Sequence, residues 1–103
     1  MTGVAILGST GSVGQNTLDV LQRHPGRFGV VALLANRSVE RLVAQAVANR
    51  PSVVGIADAR LESQLTQQLQ AAGLRCAVLA GPDAAEHIAR LPEVDCVMAA
   101  IVG

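Results

Sequence analysis

Eleven residues near the N-terminus, Val4 to Gly14 (V-A-I-L-G-S-T-G-S-V-G), constrain the fold more than any other stretch of the chain. Val4 to Leu7 is a short apolar run suited to a strand. Glycines follow at positions 8, 11 and 14, and then a helical pattern begins. A glycine at the strand end lets the chain turn sharply, because it alone tolerates positive φ at little cost. One in the middle lets a ligand's pyrophosphate approach the backbone, and one in the first helical turn lets helix and strand pack closely. The helix then aims unpaired N–H groups, with their partial positive charge, at the turn. Between a strand and a helix, such a turn reads as a dinucleotide-binding loop. It departs from G-x-G-x-x-G in one respect: the first glycine sits one place early, with Ser9 where the template has glycine.

The rest of the chain supplies the context that such a turn requires. The spacing predicts a helix from Ser12 to Arg23, with Val13, Thr17, Val20, Leu21 and His24 on one side and Pro25-Gly26 as its stop. Gly29 to Ala35 is a continuous apolar run, as expected of a parallel strand buried on both faces. Ser38 is placed to cap a helix over Val39–Asn49, where Val39, Leu42, Val43, Ala46 and Val47 follow the helical template. Val53–Ala57 reads as a third strand, and Leu61, Leu65 and Leu69 mark a helix over Arg60–Ala72 that Gly73 ends. A fourth strand is expected over Arg75–Leu79. Asp83 and Glu86 resemble a capping box for a short helix reaching Leu91. Cys96–Val102 reads as a buried last strand. Strands and helices alternating with short joints predict an α/β fold, a Rossmann-like doubly wound parallel sheet with helices on both faces. Residues 1–103 form one domain, with 3-2-1-4-5 as the leading strand order and a flavodoxin-like order next.

Composition excludes several functions. Eight arginines balance eight acids, and Phe28 is the only aromatic residue. This gives no electrostatic or stacking case for nucleic acid. No apolar run approaches the ~18 residues of a membrane span. No signal peptide is visible, so the expectation is a soluble, cytoplasmic protein with no membrane partner. Cys76 and Cys96 read as reduced thiols packed as small hydrophobes. His24 and His87 have no neighbouring ligand pattern, so no metal site is expected in this stretch. No arrangement of nucleophile, base or paired carboxylates appears, and no catalytic residue is assigned.

The cofactor preference is read at the end of the second strand. An NAD-type site usually has an acid there to accept hydrogen bonds from the ribose. This chain has none between Asp19 and Glu40, and offers Asn36, Arg37 and Ser38 instead. Guanidinium and hydroxyl donors suit a 2′-phosphate, which an acid would repel. NADP(H) is therefore expected over NAD(H). At the glycine turn, the hydroxyls of Ser9, Thr10 and Ser12 and the N–H groups of Gly11, Ser12 and Val13 are expected donors to phosphate. The plain alternatives are an exposed arginine at a loop and hydroxyls that only cap the turn.

Three blocks carry a resemblance. They are I-L-G-S-T-G-S-V-G-Q-N-T-L-D-V from Ile6 to Val20, V-V-A-L-L-A-N-R-S-V from Val30 to Val39, and V-D-C-V-M-A-A-I-V-G from Val94 to Gly103. Together they resemble the N-terminal, NADPH-binding domain of the 1-deoxy-D-xylulose 5-phosphate reductoisomerase family. The resemblance implies pyrophosphate contacts at Thr10, Gly11, Ser12 and Val13, and a 2′-phosphate held by Arg37 with Asn36 and Ser38. The family commonly has Gly and Asn at the positions held by Asn36 and Ser38, while Arg37 keeps the charge. Ala100 and Ile101 are implied near the nicotinamide. Full-length members rearrange and reduce a phosphosugar in isoprenoid biosynthesis, use a divalent metal (Mg or Mn), and are typically homodimers. Their metal and substrate residues follow the A-I-V-G block, so this stretch alone is expected to bind cofactor and catalyse nothing. Two other readings stay open: the cofactor domain of another NADP-dependent reductase, such as an aspartate-semialdehyde dehydrogenase, and a non-catalytic nucleotide-binding module.

Overall fold

Alternate residues of the apolar strands point to opposite sheet faces, and each face is buried under its own helices. The computed structural model describes residues 1–100. In it, β1 (Thr2–Leu7), β2 (Phe28–Ala35) and β3 (Val53–Ile56) lie parallel and adjacent. One sheet face carries Val4, Ile6, Leu33, Ala35, Val54 and Ile56. Against it pack α1 (Ser12–Gln22), α2 (Val39–Asn49) and α3 (Glu62–Ala71), through Leu18, Leu21, Leu42, Ala46, Leu65 and Leu69. The other face carries Ala5, Ala32, Leu34 and Val53, and is covered by the short helix α4 (Ala84–Ala89) through Ala84 and Ile88. Helices on both faces of a parallel sheet match the sequence expectation. The cover is uneven, three helices to one among the described residues.

That unevenness corrects the expected strand order. With β4 (Ala77–Ala80) and β5 (Cys96–Ala99), the sheet runs β4-β3-β2-β1-β5. The fourth strand thus lies outboard of β3, rather than beyond β1 as the order 3-2-1-4-5 requires. The reason is the handedness of the crossovers. A right-handed strand–helix–strand unit advances along the sheet in a direction fixed by the face its helix covers. Because α3 joins α1 and α2, it carries the chain onward past β3. Only α4, on the opposite face, turns the chain back to the free side of β1. The direction in which the chain advances across the sheet therefore reverses between β1 and β5, all strands staying parallel, and in open α/β sheets ligands bind at the carboxyl ends beside such a switch.

Other expectations shift in detail. The buried side of α1 is Gly14, Leu18 and Leu21, whereas Val13 and Val20 are more than half exposed. The expected apolar side is rotated by about one residue, because Gly14 presses against the glycine turn. Val47 of α2 is exposed and Gln45 is buried in its place. Neither Ser38 nor Asp83 makes a side-chain cap hydrogen bond. The Glu86 carboxylate pairs instead with Arg90 at 2.6 Å. Cys76 is half-buried, and burial pushes its thiol pKa up, but Cys96 is exposed rather than packed. The strand expected over Cys96–Val102 is described as far as Ala99. Cys96 to Ala99 are exposed, because β5 pairs only with β1 and no described helix covers it. Residues 101–103 lie outside the described residues.

Helix α2 ends at Arg50, a non-glycine residue at φ 49° and ψ 56°. The left-handed region strains a residue with a Cβ, and glycine is the usual occupant of such helix ends. Arg50→Gly is expected to stabilise the fold by about 0.5–1 kcal/mol. A thermal melt checks this, with a rise of about 2–8 °C as the expected result.

Candidate nucleotide-binding site

The three glycines of the turn meet three different demands. Gly8 sits at φ 82°, where the chain leaves β1. Its N–H and that of Ser9 both donate to the Leu34 carbonyl, at 2.8 and 3.0 Å, fixing the turn to the end of β2. Gly14 lies in the first turn of α1. A Cβ there would stand 2.3 Å from the Gly8 carbonyl oxygen and 2.7 Å from the Ser9 Cα, so only glycine permits this approach. Gly11 differs from both. It precedes α1 at φ −77° and ψ 170°, ordinary extended backbone, and a Cβ there would meet only the Gly8 oxygen, at 3.6 Å. The fold does not need a glycine at 11; the open space above it does.

Of the expected phosphate donors, two need correction. The Gly11 N–H already donates to the Gly8 carbonyl at 3.2 Å. What Gly11 offers a ligand is a missing side chain. Ser9 is fully buried beneath the turn, so its hydroxyl cannot reach a ligand above it. Thr10, Gly11 and Ser12 line a cleft of about 400 Å³ with Gln15, Asn16 and Arg41. The N–H groups of Ser12, Val13 and Gly14 belong to the first helical turn, where no intrahelical acceptor exists. Val13 is exposed beside them and is not part of the cleft lining.

The second group of residues lies at the adjoining strand ends. Arg37 and Ser38 line a cleft of about 550 Å³ with Arg41, Leu61 and Gln64. Arg41 lines both clefts and so joins the glycine turn to the loop after β2. Asn36 is not in either lining; its carbonyl accepts from the Asp58 N–H at 3.1 Å. That bond ties the loop after β2 to the loop after β3. The Asp58 side chain is 14% exposed and lies 3.7 Å from Arg37 Nε. It also accepts from Arg60 Nε at 3.1 Å and Arg60 Nη2 at 2.9 Å. The hydrogen bonds from Arg60 hold its carboxyl below the usual carboxylate range. Sequence reasoning found no acid near Arg37, yet folding brings one there from another loop, already engaged by two guanidiniums.

Gln45 was also missed. It is 8% exposed, and its Nε2 donates to the Ser9 carbonyl at 2.7 Å. Helix α2 thereby grips the underside of the glycine turn. Its only sequence signal is a polar residue beside Ala46 on an otherwise apolar face. Ala100, implied near the nicotinamide, donates its N–H to the Leu7 carbonyl at 2.8 Å, beside the turn. Ile101 lies outside the described residues. Among the described residues, no helix is long and apolar enough to cross a membrane, and no group of three His, Cys, Asp or Glu could hold a metal ion.

A parallel sheet whose strand order reverses beside a glycine turn, with a helix N-terminus above it and arginines at the next strand end, is the architecture of the Rossmann class of nucleotide-binding domains. Comparison with known proteins narrows this class. The model of the 1-deoxy-D-xylulose 5-phosphate reductoisomerase family matches residues 4–103, and the chain belongs to that family. The reductoisomerase of Methylococcus capsulatus is 58% identical over 104 residues, covering all of this chain and 26% of its own length. That of Nitrosomonas europaea is 52% identical over 100 residues, covering 97% of this chain and 24% of its own length. The chain thus spans about a quarter of the relatives it matches. A crystal structure of DOX-P reductoisomerase with NADPH, fosmidomycin and magnesium is similar at a TM-score of 0.95 and 37% identity, over all of this chain and 25% of that one. The Zymomonas mobilis enzyme in complex with NADPH is similar at a TM-score of 0.90 and 39% identity, over 99% of this chain and 26% of that one.

Proposed function

We propose that this chain is the NADPH-binding domain of a 1-deoxy-D-xylulose 5-phosphate reductoisomerase. In that reaction 1-deoxy-D-xylulose 5-phosphate is rearranged and the intermediate reduced by hydride from NADPH, giving 2-C-methyl-D-erythritol 4-phosphate. The observation that carries the reading is the unequal demand on the glycines. Gly8 and Gly14 are required by the backbone, whereas Gly11 is required by nothing in the fold. It keeps open the approach to the free N–H groups of α1, which is what a pyrophosphate needs. Arg37 supplies the positive charge for a 2′-phosphate. When bound, NADPH supplies the hydride; the domain's own residues bind it and orient it. The divalent metal of the reaction finds no ligand cluster among the described residues.

The test replaces the 26% of the Methylococcus capsulatus relative that this chain covers with residues 1–103, keeping the rest of that relative. The chimera is expected to oxidise NADPH when given 1-deoxy-D-xylulose 5-phosphate. Gly11→Ala in the chimera is expected to raise KM for NADPH tenfold or more, since a methyl group displaces a phosphate that gains ~1.5–3 kcal/mol per charge-assisted hydrogen bond. Its melting temperature should fall by no more than about 2–4 °C, the effect of a helix cap poorer by about 1 kcal/mol on so long a chain. A folded chimera that ignores NADPH, or a Gly11→Ala form with unchanged KM, would overturn the reading.

A further inference from the structure

Arg60 stands apart from the residues assigned so far. It comes from the 3-10 turn Ala59–Leu61 after β3, a strand that the nucleotide-binding turn does not touch in sequence. Its side chain is 83% exposed, yet its position is fixed. The backbone N–H donates to Asp58 Oδ1 at 3.1 Å, and the guanidinium takes both carboxylate oxygens in a fork. A fork of this kind leaves the outer N–H donors of the guanidinium free, because arginine has more donors than one carboxylate can accept. Arg37, 77% exposed, approaches the same Asp58 oxygen at 3.7 Å from the loop after β2. The two arginines therefore converge on one carboxylate at the carboxyl edge of the sheet. Arg37 lines a cleft that Arg60 adjoins through its neighbour Leu61; with Ser38, Glu40, Arg41 and Gln64 it has an apolar side for a base and hydroxyl and amide groups for a sugar.

We infer that Arg60 is a second guanidinium for the 2′-phosphate of the cofactor, held in place by Asp58 and acting beside Arg37. Arg37, Arg41 and Arg60 against Asp58 and Glu40 leave a net positive charge at this edge, which suits a dianionic phosphate monoester. The arrangement also shows how the chain tolerates Asn36 and Ser38 in the loop after β2: part of the grip comes from a different loop. Asp58 is a positioning residue in this account, because it restricts a long side chain that would otherwise lose rotamer freedom on binding.

The inference rests on the NADPH reading, and the experiment separates the two. NADPH and NADH are titrated by calorimetry into the same chimera, for the parent, Arg37→Ala, Arg60→Ala and Arg60→Lys, with circular dichroism as the folding control. Arg60→Ala is expected to weaken NADPH about five- to twentyfold, the range for losing one partly exposed charge-assisted contact. It should leave NADH unchanged and the melting curve in place. Arg60→Lys should recover part of the loss, since it restores the charge without the planar fork. The ratio of NADPH to NADH affinity is the deciding readout, because a general loss of structure lowers both. Unchanged NADPH affinity in Arg60→Ala, with a loss in Arg37→Ala, overturns the role of Arg60 and leaves the NADPH reading standing. A folded parent that binds both cofactors equally overturns the NADPH reading and the role of Arg60 with it.

Discussion

Gly14→Ala is expected to destabilise the domain by about 3 kcal/mol or more, at the upper end of what overpacking costs. For a domain of this size that is a fall of roughly 12–24 °C in melting temperature. The direction is decided by what the new methyl group meets. Its three nearest atoms, at 2.3, 2.7 and 2.9 Å, all belong to the backbone of Gly8 and Ser9. A flexible side chain could rotate away, but this backbone cannot move freely. Gly8 and Ser9 are bonded to the Leu34 carbonyl from above, and the Ser9 carbonyl is held by Gln45 from below. Alanine's better helix propensity returns at most about 1 kcal/mol. The measurement is a thermal or urea melt followed by circular dichroism. A Gly14→Ala protein melting within about 3 °C of the parent would show that α1 can lift off the turn at little cost, and the packing account would then be wrong.

The same glycine explains how much could be read from sequence. The turn itself was legible, with the demands on Gly8 and Gly14, because both follow from backbone geometry; the space at Gly11 answers to the proposed ligand instead. The rotation of α1 was not legible. Val13, Thr17, Val20 and Leu21 are as good a helical stripe as Gly14, Leu18 and Leu21, and only the contact at Gly14 decides between them. The alternation of strands and helices was legible from apolar runs and their stops. The strand order was not, since it depends on which face α3 covers. That choice is only partly written in side-chain volume: in β1 and β3, Ile6 and Ile56 face three helices while Ala5 and Gly55 make room for Ile88, but β2 puts one leucine and one alanine on each face. A Cβ on Gly55 would stand 2.9 Å from the end of Ile88. At the site, Arg37 was found because it sits where the nucleotide template looks. Asp58 and Arg60 were not, because nothing local links them to Arg37. They meet it only because β2 and β3 pair in register and end together.

Arg37→Ala is expected to lower NADPH affinity by tenfold to a hundredfold while leaving NADH affinity and fold stability nearly unchanged. The size follows from the ~1.5–3 kcal/mol of a hydrogen bond between charged groups, at about 1.4 kcal/mol per factor of ten. The selectivity follows from position. Arg37 lies at the end of β2, where the adenosine ribose is expected, and away from the first turn of α1 that serves both cofactors alike. Stability should hold because the side chain is 77% exposed and its ion pair with Asp58 is long, at 3.7 Å. Exposed pairs contribute little. Asp58 does not lose its partners either, since Arg60 keeps both carboxylate oxygens. The effect should also shrink as salt is added, because the charges face solvent and are screened over about 10 Å at 0.1 M. Titration of both cofactors at two salt concentrations measures all of this at once. If NADPH affinity in Arg37→Ala matched the parent at low salt, the arginine would be a surface charge at a loop, and the preference for the phosphorylated cofactor would need another source.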